Sequence, residues 1–413
     1  MNIVILLEQM ASVSGTSVQV AAAARHVALR GHRCRILAFG EIAPSLRYQP
    51  AIYQSLGPSL TDLRHGEEAF PSMLEGLIQA AEHESIDIIH AHYPLAMAVA
   101  ASFAAMRGTA TVASLHGYER QLFLSNAAQY RLCRVGLQVA SAILPVSAEL
   151  QNDFIALFPV LADRFTVIPD AVDLPPVLSD RSIPRQARIN PPRKRLVFVG
   201  RLSREKGVPE LLEAFQELHR EDPSYDLQIV GDGQLAEHVR QLAAEPELRQ
   251  VLHWHGSLEH EDVFTVLQTA DALVLPSHQE ALGSVLIEAM LSGLLPLGTA
   301  VGGIPELIED GVTGLLIPGL QAADIVQTVR RAFSSDEELL KLRQGAWQRG
   351  QLYRWDRRAE ELLQVYEAAR ERESASFQKV EAELRESFDL ERYQPWAKHF
   401  DLKPKASLRD ELK

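Results

Sequence analysis

Cysteine is nearly absent: Cys34 and Cys133 are the only two in 413 residues. Two thiols so far apart in sequence indicate neither a disulfide framework nor a Cys-based zinc site, and they fit a reduced setting. No apolar run approaches the roughly 18 residues that a membrane span needs. The opening MNIVILLEQ has a short apolar run, Ile3 to Leu7, and meets Glu8 at once. It lacks the basic start and long apolar stretch of a signal peptide, so a soluble, cytoplasmic chain is expected. Positive charge is also scarce, with 41 Lys and Arg against 54 Asp and Glu and a net charge of −13. That balance argues against a nucleic-acid binder and against wide contact with anionic lipid, leaving a local basic patch and peripheral membrane contact open. No D-x-D occurs, so there is no obvious carboxylate pair for a metal-bound diphosphate. No solenoid period is present either.

What is there is alternation. The length exceeds that of one ordinary core, so two domains with additions are expected. Apolar runs at Asn2 to Leu7, Arg33 to Phe39, Ile86 to His90, Thr111 to Leu115, Ala142 to Val146 and Phe165 to Ile168 read as strands. Helical stretches separate them, and Gly15 lies in a small-residue loop before a long helix ending near Arg30-Gly31. Strands and helices in turn mean βαβ units and parallel sheet. From about Asp170 to Arg195 prolines and a basic PPRKR break the rhythm, as an inter-domain linker would. Alternation resumes with Leu196 to Val199, Asp226 to Val230 and Val251 to His255. A helix follows from about Trp355 to Arg370, with Leu362, Leu363 and Tyr366 as packing positions. In the charged tail beyond it, Phe377, Val380, Leu384 and Phe388 recur at helical spacing, which predicts a packed helix.

The most informative stretch runs from Leu273 to Gly319. A buried strand, Leu273 to Leu275, gives way to Pro276-Ser277 and a loop with Glu280 and Gly283. A helix is expected from Ser284 to Leu291, with Gly293 ending it as a C′ glycine and the strand Leu294 to Leu297 following. Gly302 and Gly303 then lead to another helix, with Pro305 in its first turn. Loop-to-helix junctions at the ends of neighbouring parallel strands are where open α/β sheets bind ligands. Free N–H groups at a helix start suit a phosphate, and Glu280 and Glu288 can accept hydrogen bonds from hydroxyls. The plainer reading of either carboxylate is a solvated helix face.

GRLSREKG, Gly200 to Gly207, follows a strand and sets Arg201 and Lys206 at its end. A planar fork beside a point charge suits a diphosphate; the alternative is a solvated basic turn. IVGDGQLA, Ile229 to Ala236, matches the G-x-G-x-x-A dinucleotide pattern, but the next strand ends at His255-Gly256 without the acid that pattern requires, so a tight turn is expected. His90 and His92 in DIIHAHYP, and His116 in SLHGYER, lie at or just past strand ends. Such a histidine can position a hydroxyl or stabilise charge, or serve only the structure.

In this order the segments resemble the retaining glycosyltransferases of glycosyltransferase family 4, up to about Arg370. The most specific part is E-x7-E, Glu280 to Glu288, with GGIPE (Gly302 to Glu306) downstream and GRLSREKG upstream. The resemblance implies an α/β protein of GT-B fold, two Rossmann-like domains facing across a cleft that closes to exclude water. The divisions become 1–170 for the acceptor-side domain, 171–194 for the linker and 195–354 for the nucleotide-sugar domain. A crossover helix at 355–375 and an amphipathic tail at 376–413 complete the chain. Partners implied are a nucleotide-sugar donor, UDP- or GDP-sugar, and a hydroxyl acceptor that is a glycan, lipid-linked or a small molecule; no cofactor and no metal is implied. Carried over, Arg201 and Lys206 bind the donor diphosphate, and Gly15 lets backbone approach it. Glu288 holds ribose hydroxyls, Glu280 the transferred sugar, and His116 the sugar near the reacting carbon. Leu282, Gly283 and Ser284 complete the donor site. PDAVD, Pro169 to Asp173, departs from the family, which commonly has Asn and Gly in place of Asp170 and Ala171. Two rival readings use a similar donor site: a GT-B sugar-nucleotide epimerase and a non-catalytic sugar-nucleotide-binding protein.

Overall fold

The structure, a computed structural model, describes residues 1–10, 15–40, 46, 50–57, 69–117, 119, 127–175 and 194–372. The expected tail positions Phe377, Val380, Leu384 and Phe388 lie outside them. The chain divides into two compact units. The described residues of unit 1 fall within Met1–Pro145, Phe154–Thr166 and Ala359–Lys413, and unit 2 comprises Val146–Asp153 and Val167–Arg358.

Unit 1 is built on six parallel strands: β1 (Asn2–Gln9), β2 (Arg33–Phe39), β3 (Ile52–Ser55), β4 (Ile88–His92), β5 (Ala110–Leu115) and β6 (Ala142–Pro145), in spatial order β3-β2-β1-β4-β5-β6. Ile3 to Leu7 are all buried, as continuous apolar strands with helices on both faces must be. The helix Pro94–Arg107 buries its residues from Pro94 through Ala104, small side chains letting it lie close to the helix Ala127–Val139 around Ala101, Ala104, Val135 and Val139. Within the helix Trp355–Glu371, Leu362, Leu363 and Tyr366 are buried as the spacing predicts. Its unit 1 part is pinned by Arg30 to Glu360 at 2.8 Å and Arg370 to Asp87 at 3.3 Å.

Unit 2 repeats the plan with β7 (Lys194–Val199), β8 (Tyr225–Val230), β9 (Leu252–Trp254), β10 (Ala272–Leu275), β11 (Leu295–Thr299) and β12 (Leu315–Ile317), in order β12-β11-β10-β7-β8-β9. Every strand pair is parallel. Each sheet therefore has the doubly wound order in which the winding reverses once, between β1 and β4 in unit 1 and between β7 and β10 in unit 2. Ligands of such sheets bind at that reversal, outside the carboxyl ends of the strands.

Several expectations change. The strand expected at Phe165 to Ile168 is a single bridge, Phe165 to Ile143, because the chain leaves the sheet after one residue. β4 runs two residues further than expected, so His90 lies inside it and His92 ends it. Gly15 starts the first helix, Gly15–Leu29, instead of preceding it. Beyond Gly303 the second junction opens only a four-residue turn, Ile304–Leu307. That turn is too short to carry the dipole of a real helix.

Candidate active site

The reversal in unit 2 falls on the two loops singled out in the sequence. Gly200 to Gly207 leaves β7 and Pro276 to Gly283 leaves β10, and they are laced together. His278 N–H donates to the Glu205 carbonyl at 2.7 Å. Gly207 has φ +68°, and a Cβ there would run into the Pro276 carbonyl, so no other residue fits without moving the loop. Side chains complete the join. Lys206 Nζ donates to Glu280 Oε2 at 2.6 Å, and Ser277 Oγ donates to the same oxygen at 3.3 Å. Both ion-pair partners are largely buried, at 17% and 14% side-chain exposure. Removing either would leave a desolvated charge behind. Arg201 is exposed, and among the described residues its guanidinium has no ion-pair or hydrogen-bond partner.

Behind these loops, Gly302 backs onto Glu280. Its φ is +56°, and a Cβ would overlap the Glu280 carbonyl oxygen, which also accepts the Gly303 N–H at 3.4 Å. GGIPE thus shapes the Glu280 loop through backbone. Its acid faces elsewhere. Glu306 accepts N–H bonds from Ala148 at 2.9 Å and Glu149 at 3.0 Å, capping the helix Ala148–Leu157. The dinucleotide-like IVGDGQLA is a turn pressed on the GRLSREKG loop, with Leu202 N–H donating to Asp232 O and Leu235 N–H to Leu202 O.

The helix after Glu280 spans Ser284–Leu291, with Gly283 at φ +90° as its N-cap and Gly293 at φ +79° past its end. Leu282 is buried, so only its backbone can meet a ligand. Ser284 Oγ donates to Asp170 Oδ2 at 2.6 Å, an acid at the place where the sequence departs from the family pattern. The same segment is held by Val172 N–H to Tyr353 O at 2.8 Å. Glu288, one turn in, is bonded to His260 Nε2 through Oε1 at 2.9 Å. His260 opens the helix His260–Leu267. No motif points to it, since LEHEDV reads as an ordinary solvated helix start.

In unit 1 the reversal falls between β1 and β4. Glu8 near the end of β1 accepts the Leu95 N–H at 2.9 Å, at the start of the helix Pro94–Arg107. Burial, with Glu119 adding to it, pushes the Glu8 carboxyl up to about 7. His92 Nδ1 and His116 Nε2 share a hydrogen bond at 2.8 Å, their rings stacked at 5.1 Å. Glu119 is buried and accepts the N–H groups of His116 and Gly117, each at 2.9 Å. Burial raises its pKa as well. His92 is held neutral by burial and by its histidine neighbours, and His90 is pushed down to about 3 for the same reasons. His90 is satisfied on both sides, by Tyr366 Oη at 2.8 Å and Ser114 Oγ at 2.7 Å. It is a structural histidine. Tyr93, the only non-glycine residue at positive φ (72°) among those described, donates its hydroxyl to Thr16 Oγ1 at 2.8 Å and lays its ring 5.9 Å from His116. Among the described residues a Cβ at Gly15 would meet nothing within 4 Å, so their packing does not demand glycine there.

Comparison with known proteins agrees with this architecture. Residues 13–175 match the family described as Glycosyltransferase Family 4, and residues 179–349 match Glycosyl transferases group 1. The chain belongs to glycosyltransferase family 4, and it is a glycosyltransferase of GT-B fold. It is 26% identical over 332 residues to a D-inositol 3-phosphate glycosyltransferase of Pseudarthrobacter chlorophenolicus, covering 74% of this chain and 78% of that one. It is 28% identical over 294 residues to a glycogen synthase of Mycobacterium tuberculosis, covering 69% of each. Among solved structures, HepE of Anabaena in complex with UDP-glucose superposes with a TM-score of 0.69 at 20% identity, over 88% of this chain and 99% of that one. Sucrose-phosphate synthase of Thermosynechococcus elongatus does so with a TM-score of 0.73 at 20% identity, over 89% and 98%. No helix among the described residues is long and apolar enough to cross a membrane.

Proposed function

We propose that this glycosyltransferase moves a sugar from a UDP- or GDP-sugar, held by unit 2, to a hydroxyl acceptor held mainly by unit 1, with retention and without a metal, in the cytoplasm. The observation that carries the reading is the Lys206–Glu280 pair at the winding reversal of the second sheet, with Arg201 on the same loop unpaired among the described residues. In this reading Arg201 and Lys206 hold the donor diphosphate, and the backbone of Leu282, Gly283 and Ser284 at the helix start adds N–H donors. Glu288 takes ribose hydroxyls and Glu280 the hydroxyls of the transferred sugar. Gly15 lets the diphosphate approach backbone, and His116 meets the sugar beside the reacting carbon. The acceptor oxygen bonds to that carbon on the face from which the diphosphate departs, and its proton passes to the departing phosphate oxygen. Positive side chains that stabilise the leaving charge are then the main catalytic device. Of the relatives named above, one is a D-inositol 3-phosphate glycosyltransferase and one a glycogen synthase, and the acceptor is read as a glycan, lipid-linked or small hydroxyl compound.

A thermal-shift screen of UDP-, GDP- and ADP-sugars should find a stabilising donor. Proton NMR of the product made from it, with EDTA present, should show the donor's anomeric configuration kept. An inverted product would overturn retention, and turnover lost in EDTA but restored by a divalent cation would overturn metal independence.

A further inference from the structure

One contact in unit 2 belongs to no motif. His260 Nε2 lies 2.9 Å from Glu288 Oε1, and both side chains are largely buried, at 16% and 13% exposure. The imidazole is itself held, edge-on against Phe264 one turn along its helix with ring centroids 5.1 Å apart. Among the described residues Glu288 Oε2 has no hydrogen-bond partner. A carboxylate anchored at one oxygen cannot spin about its last torsion, so the other oxygen points in one fixed direction.

We propose that His260 is a positioning residue for Glu288, and that its protonation ties the nucleotide affinity of unit 2 to pH. The proposal rests on the reading above in which Glu288 takes ribose hydroxyls. An imidazolium donates an N–H to the carboxylate and cancels its charge. A neutral imidazole can still donate, as the Nε2–H tautomer, but leaves a net negative charge at an edge that must accept a diphosphate. The charged groups acting on the ring are Glu288 from the helix Ser284–Leu291, Asp173 from the segment after Pro169, and Glu261 from its own helix. Burial opposes charge on the ring, but these three carboxylates outweigh it and hold the pKa above the ordinary histidine value. Affinity is thus greatest on the acid side of that pKa and falls as pH rises through it.

The test is calorimetric titration of the full chain with UDP-glucose, or with GDP-mannose if the screen prefers guanine, at pH 6.0 and 8.5. The diphosphate of a nucleotide sugar carries no proton that titrates in this interval. Affinity of the unaltered protein should fall about three- to ten-fold from the lower to the higher pH, consistent with the loss of one nearby charge. His260→Gln keeps a neutral donor and should bind at both pH values as the unaltered protein does at 8.5. His260→Phe, which keeps the packing on Phe264 but donates nothing, should bind more weakly than either at both. A flat profile in the unaltered protein, or an unchanged slope in His260→Gln, overturns the proposal. Glu288→Gln separates the two layers. If it weakens binding while His260→Gln keeps the slope, only the His260 proposal falls. If Glu288→Gln binds as tightly as the unaltered protein, the ribose reading falls and takes the proposal with it.

Discussion

The two sheets share one winding order, yet the edges at their reversals are opposite in electrical character. In unit 2 the edge is ionic: Lys206 pairs with Glu280, His260 leans toward charge beside Glu288, and Arg201 stands exposed without a partner among the described residues. In unit 1 the described side chains there are polar but driven toward neutrality. His90 and His92 are pushed down by burial, and Glu8 and Glu119 are pushed up by it. Two copies of a fold thus carry different chemistry because different side chains occupy the ends of their strands and the segments that follow them. An ionic edge suits an anionic diphosphate, whose charge must be met in both ground and transition states. A neutral edge suits hydroxyls, which an unpaired charge would hold in the wrong orientation.

If the division is right, the largest effect comes from His116. His116→Ala should reduce turnover by roughly 10²–10³-fold, the usual cost of losing a group that meets developing charge, and leave nucleoside diphosphate affinity unchanged. Parallel rate assays and calorimetry check it. An equal loss of diphosphate affinity would mean that His116 meets the anion and not the sugar, and the contrast between the edges would fail.

Next come the cations of unit 2. Arg201→Ala and Lys206→Ala should each remove a charge-assisted contact of roughly 1.5–3 kcal/mol, or about ten- to a hundred-fold in diphosphate affinity. They should part company in stability. Arg201 has no protein partner among the described residues, so its loss leaves the melting temperature unchanged. Lys206→Ala strands Glu280 at a largely buried position and should lower it by several degrees. Equal melting temperatures would show that the Lys206–Glu280 pair is not a structural tie.

The carboxylates sharpen the contrast inside unit 2. Glu288→Gln should weaken nucleoside diphosphate and nucleotide sugar alike, since both carry ribose, by about 1–2 kcal/mol. Glu280→Gln should not weaken the diphosphate, since it leaves Lys206 free to meet it, and should lower turnover, because a contact made to the reacting sugar is felt in the transition state. Calorimetry with both ligands beside a rate assay reads the split. Equal losses for both ligands in both variants would mean the roles are not divided this way.

What can be read from the chain is what lies close together in it. Ala272 to Gly293 announces itself through a buried apolar strand, a loop with Gly283, eight helical residues and a C′ glycine, all local signals. The strands Ile52–Ser55 and Leu315–Ile317 give little signal because they sit at sheet edges, four and three residues long, and the first is partly exposed along its whole length. Phe165 to Ile168 has the composition of a strand but no partner beyond one bridge. The site shows the same limit. Arg201, Lys206, Glu280 and Glu288 stand in motifs, whereas His260, Glu8 and Glu119 gain their meaning from neighbours brought by the fold. His90 has the local look of a site residue, and only Tyr366, 276 residues away, makes it structural.

The smallest effect expected tests the neutrality of unit 1 directly. Glu8 has a folded pKa of about 7 against an ordinary value of 4.5. Below about pH 4.5 folded and unfolded chains both keep this proton, so the group adds no pH dependence. Between about 4.5 and 7 the unfolded chain releases it while the folded chain retains it, and stability falls as pH rises; above 7 both are ionised and the penalty is constant. Glu8→Gln cannot ionise, and its side-chain oxygen can still accept the Leu95 N–H. The variant should therefore match the unaltered protein near pH 4.5 and gain on it up to pH 7. The gain should reach about 1–2 kcal/mol, less than the full shift implies because the surroundings of a newly ionised carboxylate can relax and admit water. Melting temperatures of both proteins at pH 5 and pH 8 are enough to read it. A gap that stays the same at the two pH values would mean that Glu8 is already ionised at pH 5, and the burial-driven neutrality on which the contrast with unit 2 rests would be absent.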